Sequence, residues 1–192
     1  GSVVSEFEHH IQITRGMELG TPHKYFVVQG LFTDAAGQLL NCAREMFKLN
    51  EKALPLAGAA ARIDPVIGES PNGRLFCNLP LPIGSPVPSC HVNGFFDLQA
   101  DRQGLFQDPG AGGGSAVRVN WNRLLLEQAC SEAVARLCVR LSHEAKSRGA
   151  SLYEHWPRSP AQGAALLDHL PRQTYGRLRN LQCIAAGKDS AW

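Results

Sequence analysis

The chain has 192 residues, of which 44% are hydrophobic and 19% charged, and its net charge is +2. This composition excludes a disordered chain, and a chain this long can bury about 70% of the surface that it exposes when unfolded. The small net charge, with no run of lysine or arginine, argues against a nucleic-acid-binding protein. No apolar run is long enough to span a membrane. Gly1-Ser2 is typical of a cloning scar, so we expect a single module over residues 3–192.

Alternation of polar and apolar residues over 5–14 predicts a strand with one solvent-facing side. The β-branched and aromatic run at 24–32 predicts a second strand. A helix is expected over 34–50, with Thr33 as its N-cap. Gly37 weakens its first turns by about 1 kcal/mol relative to alanine, so a start later than Asp34 is the alternative. The small apolar residues at 54–63 indicate a strand that approaches another backbone or a helix closely.

Two further strands are predicted on either side of a proline-rich bend. The first covers 74–83 and ends at its prolines, and the second covers 90–99. We expect the two to pair antiparallel because the connection between them is short. Gly94 within the second strand indicates a bulge or a close backbone approach, and Asn93 is suited to bonding nearby main chain.

The last third of the chain is predicted to be helical. A flexible glycine-rich loop at 107–116 precedes a long helix over about 120–147, whose apolar residues recur every three or four positions. A final helix is expected over 161–179, split or kinked by Pro171, and 181–187 is consistent with an edge strand. Strands followed by helices predict an α+β fold, mainly an antiparallel sheet with helices packed on one face.

Six cysteines occur, and no two of them have the CxxC spacing of zinc or redox sites. Several fall at apolar positions of predicted helices and strands, where cysteine behaves as a small hydrophobic residue. We therefore expect free thiols and a reducing, intracellular compartment, with disulfides as the alternative. The cysteines lie at positions 42, 77, 90, 130, 138 and 183.

No catalytic, metal or cofactor site is predicted. The loop GAGGGS lacks the lysine of a phosphate-binding P-loop and the spacing of a dinucleotide fingerprint. His9 and His10 are neighbours on a strand and point to opposite faces, so they cannot hold one metal ion, and the same holds for Cys90-His91. Ser89, His91 and Asp97 contain the residue types of a triad, but no nucleophile elbow accompanies them.

The most informative residues are His91, Asn93, Gly94 and Arg102. The first three form the phrase HVNG inside the predicted strand, and the fourth lies just beyond it. A bulged strand beside the proline bend explains the phrase structurally. We expect Arg102 to pair with protein carboxylates, with a phosphate as the less favoured partner. These four residues are the candidate interaction residues of the chain.

Residues 73–106, GRLFCNLPLPIGSPVPSCHVNGFFDLQADRQGLF, closely resemble the signature segment of the large internal repeats of the sacsin family. The matching positions are Gly73, Phe76, Cys77, 79–83, 91–94, Phe96, Leu98 and Arg102. Similar stretches at 54–63, 119–137, 152–158 and 169–186 extend the resemblance over about 50–192, and it is weak over 3–50. The departures from the family pattern are Leu56, Gln103, Phe106 and an extra Ser89-Cys90.

The resemblance implies a segment that follows an Hsp90-like ATP-binding domain within a large cytoplasmic protein linked to chaperone work. The motifs of that ATP-binding fold do not occur in this sequence, so no nucleotide cofactor is expected in this chain. The implied partners are the adjacent Hsp90-like ATP-binding domain, other repeats of the same protein, client proteins and the Hsp70 machinery.

Three functions remain open from the sequence. The first is a non-catalytic interaction and scaffold module of a sacsin-like chaperone or co-chaperone protein. The alternative is an accessory part of an ATPase, in which Arg102 or a nearby polar group reaches the nucleotide site of the neighbouring domain. The third is a structural spacer without a binding surface.

Overall fold

The structure is a computed structural model that describes residues 2–11, 14–15, 18–19, 23–51, 53–64, 73–82, 89–108, 110, 112, 114–148, 150–158, 166–179 and 181. Its strands are β1 (Val3–Ile11), β2 (Thr14–Arg15), β3 (Glu18–Leu19), β4 (His23–Leu31), β5 (Leu56–Arg62), β6 (Leu75–Cys77), β7 (Leu79–Pro80) and β8 (His91–Gly94). Its helices are α1 (Gln38–Phe47), α2 (Ser115–Leu124), α3 (Ser131–Arg148) and α4 (His169–Leu178). A π-helical segment, Leu125–Cys130, joins α2 to α3, and a 3₁₀ turn covers Ala150–His155. The predicted α+β class is confirmed.

The main sheet has six strands in the order β1-β4-β5-β8-β6-β7, and β2 and β3 form a separate hairpin. Every pairing in the main sheet is antiparallel except that of β6 with β8, which is parallel. The predicted antiparallel pairing of 74–83 with 90–99 is therefore wrong. The reason is that β8 lies between β5 and β6, and its antiparallel neighbour is β5.

The strand predicted over 74–83 is broken in the middle. Asn78 has a left-handed φ of 62°, which turns the chain back on itself, so that β7 pairs with β6. Asparagine tolerates this conformation better than most residues. Two short strands thus stand where the sequence pattern predicts a single one.

The helices pack on one face of the sheet, as predicted. Ala57, Ala59 and Ala61 of the central strand β5 point to this side and are buried. Their small side chains let the π-helical segment and α3 approach the backbone of the sheet, and these helices contact β4 and β5. The sequence prediction of a close approach at 54–63 is thereby confirmed.

Helix α1 begins at Gln38, so the alternative of a start later than Asp34 is confirmed, and the prediction of Thr33 as its N-cap is wrong. The carboxylate of Asp34 accepts hydrogen bonds from the backbone N–H groups of Gln38 (2.8 Å) and Leu39 (2.9 Å). Gly37 adopts a left-handed φ of 71°, which places the helix start beyond it. The aspartate therefore satisfies donors that the first turn leaves without intrahelical partners.

A continuous helical stretch from Ser115 to Arg148 replaces the helix predicted at 120–147, and it begins five residues earlier. Its start follows Gly114, whose left-handed φ of 80° ends the glycine-rich loop. The predicted apolar stripe is confirmed, because every member is fully buried. Its members are Leu126, Cys130, Ala133, Leu137 and Leu141.

Helix α4 packs across the π-helical segment. Such a segment leaves carbonyl groups without their usual intrahelical partners. Arg177 of α4 donates hydrogen bonds from Nη2 to the backbone oxygens of Glu127 and Gln128, each at 3.2 Å. Its Nε donates to Ser131 Oγ at 2.9 Å. One arginine thus connects α4 to the irregular part of the long helix through several hydrogen bonds.

Pro171 does not kink α4, but the described residues 166–168 form a turn, so the helix predicted over 161–179 is interrupted shortly before Pro171. Pro171 lies in the first turn of α4, where a backbone N–H has no intrahelical acceptor and its absence costs nothing. Residues 161–165 of the predicted helix, and nearly all of the predicted edge strand at 181–187, lie outside the described residues.

Five of the six cysteines are described, and all five are free thiols, as predicted. Burial raises the pKa of Cys90 to about 12 and raises that of Cys130 as well. Cys183 lies outside the described residues. Within the described part of the chain, every helix is too short or too polar to cross a bilayer.

Candidate functional site

The face of the sheet opposite the helices carries the candidate residues His91 and Asn93. The strand register aligns the outward-pointing side chains: Val27 lies opposite both Phe7 and Ala60, and Ala60 lies opposite His91. No described helix packs on this side. We call it the open face; its residues are Val3, Ser5, Phe7, His9, Tyr25, Val27, Gln29, Leu31, Leu56, Gly58, Ala60, Arg62, Phe76, His91 and Asn93.

The open face is apolar over much of its area. Val3 is 72% exposed, Phe7 40% and Leu31 43%. A shallow groove of about 110 Å³ runs between Val27 and Phe76 over the small residues of β5. Contiguous apolar surface of this kind marks interaction sites in folded proteins.

His91 lies at the floor of this groove between two aromatic rings. Its ring centroid is 6.1 Å from that of Tyr25 and 5.5 Å from that of Phe76, which meets it edge to face. Burial lowers the pKa of His91, and the charges of Arg74 and His155 lower it further. Its Nδ1 has no hydrogen-bond partner among the described residues. The neutral ring therefore packs as an aromatic side chain.

Asn93 has a structural contact, as its predicted role requires. Its Oδ1 accepts a hydrogen bond from the backbone N–H of Asn78 at 3.2 Å. Asn78 is the residue whose left-handed conformation separates β6 from β7. Asn93 consequently fastens the β6–β7 hairpin to β8.

Position 94 requires glycine because neighbouring side chains lie too close to its backbone for a Cβ atom. A Cβ atom at this position would lie 2.9 Å from Phe96 Cε2 and 3.2 Å from Leu125 Cδ2. The ladder between β5 and β8 is regular through Gly94, which pairs with Ala57. The prediction of close contact is confirmed, and that of a bulge is wrong.

Arg102 lies apart from the other three residues, in a tight loop between Leu98 and Leu105. Its backbone N–H donates to Gln99 O at 2.9 Å, and its φ is 58°. The side chain is exposed, and no carboxylate of the described residues forms an ion pair with it. The predicted pairing with a protein carboxylate is therefore not found in the described part of the chain.

Three residues of α2 anchor the segment that follows HVNG, and sequence reasoning did not identify them individually. Trp121 Nε1 donates to Phe95 O at 2.8 Å. Asn122 is fully buried: its Oδ1 accepts from the backbone N–H of Asp97, and its Nδ2 donates to the carbonyls of Asp97 and Phe106. The sequence feature that could have indicated this anchor is an asparagine next to a tryptophan at the start of an apolar helix.

Arg118 completes this anchor. It pairs with the carboxylate of Asp97, and its guanidinium carbon lies 3.6 Å from the centre of the Phe106 ring. It also donates to Leu98 O at 3.3 Å. Arg118, Trp121 and Asn122 of α2 thus hold residues 95–106 in place.

Three further side chains of the nucleophile and base types, Ser89, Asp97 and His155, are engaged in internal contacts. Ser89 Oγ donates to the backbone oxygen of Trp156, and Asp97 pairs with Arg118, so Ser89, His91 and Asp97 do not form a triad. His155 is 8% exposed and hydrogen-bonds Ser89 O at 3.2 Å. Among the described residues, no three His, Cys, Asp or Glu side chains converge as metal ligands would.

Comparisons of the chain with protein-family models, with curated proteins and with solved structures found no significant match. The resemblance to the sacsin repeats therefore rests on the sequence motifs described above. The structure adds which of those motif residues face outward and which hold the fold together.

Proposed function

We propose that this chain is a non-catalytic interaction and scaffold module that packs against a neighbouring domain through the open face. The resemblance implies that this neighbour is an Hsp90-like ATP-binding domain, with other repeats and client proteins as further partners. The observation that carries the proposal is the apolar face of the sheet, which no described helix covers. An apolar sheet face of a domain is a natural contact for a second domain.

The motif residues support this interpretation. His91 packs between rings, Asn93 fastens a hairpin and Gly94 makes room for Phe96, so all three build the surface. Ser89 Oγ donates to the backbone oxygen of Trp156 and His155 binds the backbone oxygen of Ser89, so these two side chains hold main chain in place. The side chains thus support shape and packing.

A pair of substitutions with matched exposure tests the proposal. Phe7 on the open face is 40% exposed and Leu40 on α1 is 39% exposed. We expect Phe7→Glu to weaken binding of the isolated preceding domain of the parent protein at least about tenfold, or about 1.4 kcal/mol, in calorimetry. Leu40→Glu should leave the affinity unchanged. Equal affinities for both variants, each folded by circular dichroism, would contradict the proposal.

A second candidate function is favoured by the position of Arg102. The Arg102 side chain is exposed and forms no ion pair with a described carboxylate. An arginine that reaches a nucleotide in another domain would be exposed and unpaired in the same way. In a polypeptide that contains both domains, Arg102→Ala should then lower ATP turnover at least about tenfold, and Arg172→Ala should not. Unchanged turnover in the Arg102 variant, at equal thermal stability, would eliminate this function.

A further inference from the structure

A polar cavity of about 280 Å³ lies where β8 gives way to the loop that carries Arg102. We call it the Arg102 cavity; its polar lining is Asn50, Cys77, Asn78, Asp97 and Arg102. It is distinct from the apolar groove on the open face, which Val27 and His91 line. Its volume suits a small polar group better than an extended ligand, because sites for drug-sized ligands begin at about 300 Å³.

Two strained backbone positions meet at this cavity. Among the described residues, Asn78 and Arg102 are the non-glycine residues with left-handed φ, at 62° and 58°. Such conformations cost energy and tend to cluster where proteins hold ligands. Here they place an amide side chain and a guanidinium on the lining of one cavity.

The charges around the cavity select the kind of ligand. Arg102 contributes one positive charge, and no described carboxylate is paired with it. Asp97 also lines the cavity, but its carboxylate is paired with Arg118. The Cys77 thiol donates to Phe96 O, and burial raises its pKa, so it adds no charge at neutral pH. A group with a single negative charge balances the site, whereas a phosphate dianion would leave an excess charge beside Asp97.

We propose that the Arg102 cavity binds the carboxylate of an acidic side chain, Asp or Glu, presented by a partner protein. The planar guanidinium forms paired hydrogen bonds to carboxylates, and amide donors can complete the coordination of the oxygens. The inference rests on the proposed function as an interaction module and adds a polar contact with a defined chemistry. It concerns a different surface from the open face.

Nitrogen–proton correlation spectra of the 192-residue chain test the proposal. We expect sodium acetate, compared with sodium chloride at equal ionic strength, to produce saturable shifts of the backbone signals of Cys77, Asn78 and Arg102. A blocked Gly-Glu-Gly peptide should give the same shifts, and the blocked Gly-Gln-Gly peptide should not. Shifts that are equal for acetate and chloride would overturn the proposal.

Variants separate this site from weak binding elsewhere on the surface. Arg102→Gln should weaken the acetate effect at least about tenfold, and Arg102→Lys about threefold or more, because lysine keeps the charge but loses the paired geometry. Arg172→Gln, which removes an exposed arginine of α4, should have no effect. Retention of the acetate shifts in a folded Arg102→Gln variant would overturn the proposal.

A comparison of phosphate with acetate shows whether the Arg102 cavity prefers a phosphoryl group or a carboxylate. At equal ionic strength and pH 7.5, phosphate should bind the cavity more weakly than acetate; tighter binding would assign the cavity to a phosphoryl group and overturn the carboxylate assignment. If acetate does not bind while Phe7→Glu still weakens domain binding, this inference fails and the proposed function stands. If acetate binds and Phe7→Glu has no effect on domain binding, the proposed role of the open face fails and the carboxylate assignment of the Arg102 cavity stands.

Discussion

Arg177 donates two hydrogen bonds to Gln128, one to its backbone oxygen at 3.2 Å and one to its side-chain oxygen at 3.1 Å. The same guanidinium reaches Glu132 Oε2 at 3.0 Å, one turn further along the long helix. Arg177 therefore binds the end of the π-helical segment and the start of α3 with one side chain, and Glu127 O accepts a further hydrogen bond from Ser131 Oγ. The position of α4 on the long helix is thus fixed by the hydrogen bonds of Arg177 as well as by apolar packing.

Replacing Arg177 by alanine should reduce the free energy of unfolding by about 2–4 kcal/mol. The substitution leaves the carbonyls of Glu127 and Gln128 without this donor and leaves Glu132 with Arg136 as its partner. Arg172→Ala, on an exposed position of the same helix, should cost less than about 0.5 kcal/mol. Urea denaturation measures both values, and similar losses in the two variants would contradict this role of Arg177.

Asn122→Ala should be among the most damaging substitutions of a polar residue in the chain. The N–H of Asp97 and the C=O of Phe106 lose the hydrogen bond from or to the amide, and the C=O of Asp97 keeps only the N–H of Phe106. We expect a loss of about 3–5 kcal/mol in thermal or urea unfolding, with faster hydrogen exchange over residues 95–106. The exposed Asn41→Ala is the control, and a loss below about 1 kcal/mol at Asn122 would refute the anchoring role.

Two glycines should respond to alanine in opposite directions. At Gly94 the added methyl group meets Phe96 and Leu125 within 3.2 Å in a buried setting, so we expect a loss of about 1–3 kcal/mol. At Gly176, in the exposed middle of α4, no atom lies within 4 Å of the added group. Alanine there should stabilise the protein by about 0.5–1 kcal/mol. Melting temperatures that move in the same direction would contradict the close approach at Gly94.

Stability should fall as the pH is lowered from 7 through 6. Burial lowers the pKa of His155, against the opposing effects of the backbone of Ser89 and Arg62 and of Glu154, and burial also lowers that of His91. The unfolded chain, in which histidine has its usual pKa near 6.5, then binds more protons than the folded chain. The free energy of unfolding is therefore highest above this pH and decreases as the pH falls toward the lowered pKa values of the folded state.

His155→Asn, which retains a donor for Ser89 O, should flatten this pH dependence. Denaturant titrations at several pH values between 5 and 8 measure the slope, and an equal slope in the variant would exclude His155 as its source.

Asp64 affects the stability of the fold in a lower pH range. Burial acts to raise its pKa, but hydrogen bonds from Arg62, the Lys24 backbone and His23 hold it well below the usual value. Its contribution to stability is therefore lost only below about pH 4.

Local patterns in the sequence predict much of this fold. The alternation and β-branched residues at β1 and β4, the small residues of β5 and the stripe that includes Leu126 and Leu137 all describe one element and the face that it buries. The errors concern relations between distant residues. The parallel placement of β6 beside β8 depends on where β5 pairs, and the π-helical segment is contacted by Arg177, about fifty residues later in the chain.

The candidate residues also divide into those whose roles follow from residue type and those whose positions depend on the rest of the fold. The hydrogen bond of Asn93 to main chain and the tight packing at Gly94 follow from residue type and are confirmed. The separation of Arg102 from His91 could not be predicted, because it depends on a tight turn held by backbone hydrogen bonds. The anchoring residues Asn122 and Arg118 were missed because their partners lie about 20 residues earlier in the chain.

The position of β8 between β5 and β6 has a consequence for how the protein is synthesised. The strands β1, β4 and β5 can form a meander as soon as residue 62 has left the ribosome, because each pairs with its predecessor in the sheet. Strand β6 must wait for β8, and the buried side of the meander stays bare until the long helix emerges after residue 115. When residues 1–100 have emerged and the long helix has not, the sheet is therefore incomplete and its apolar inner side is exposed to aggregation.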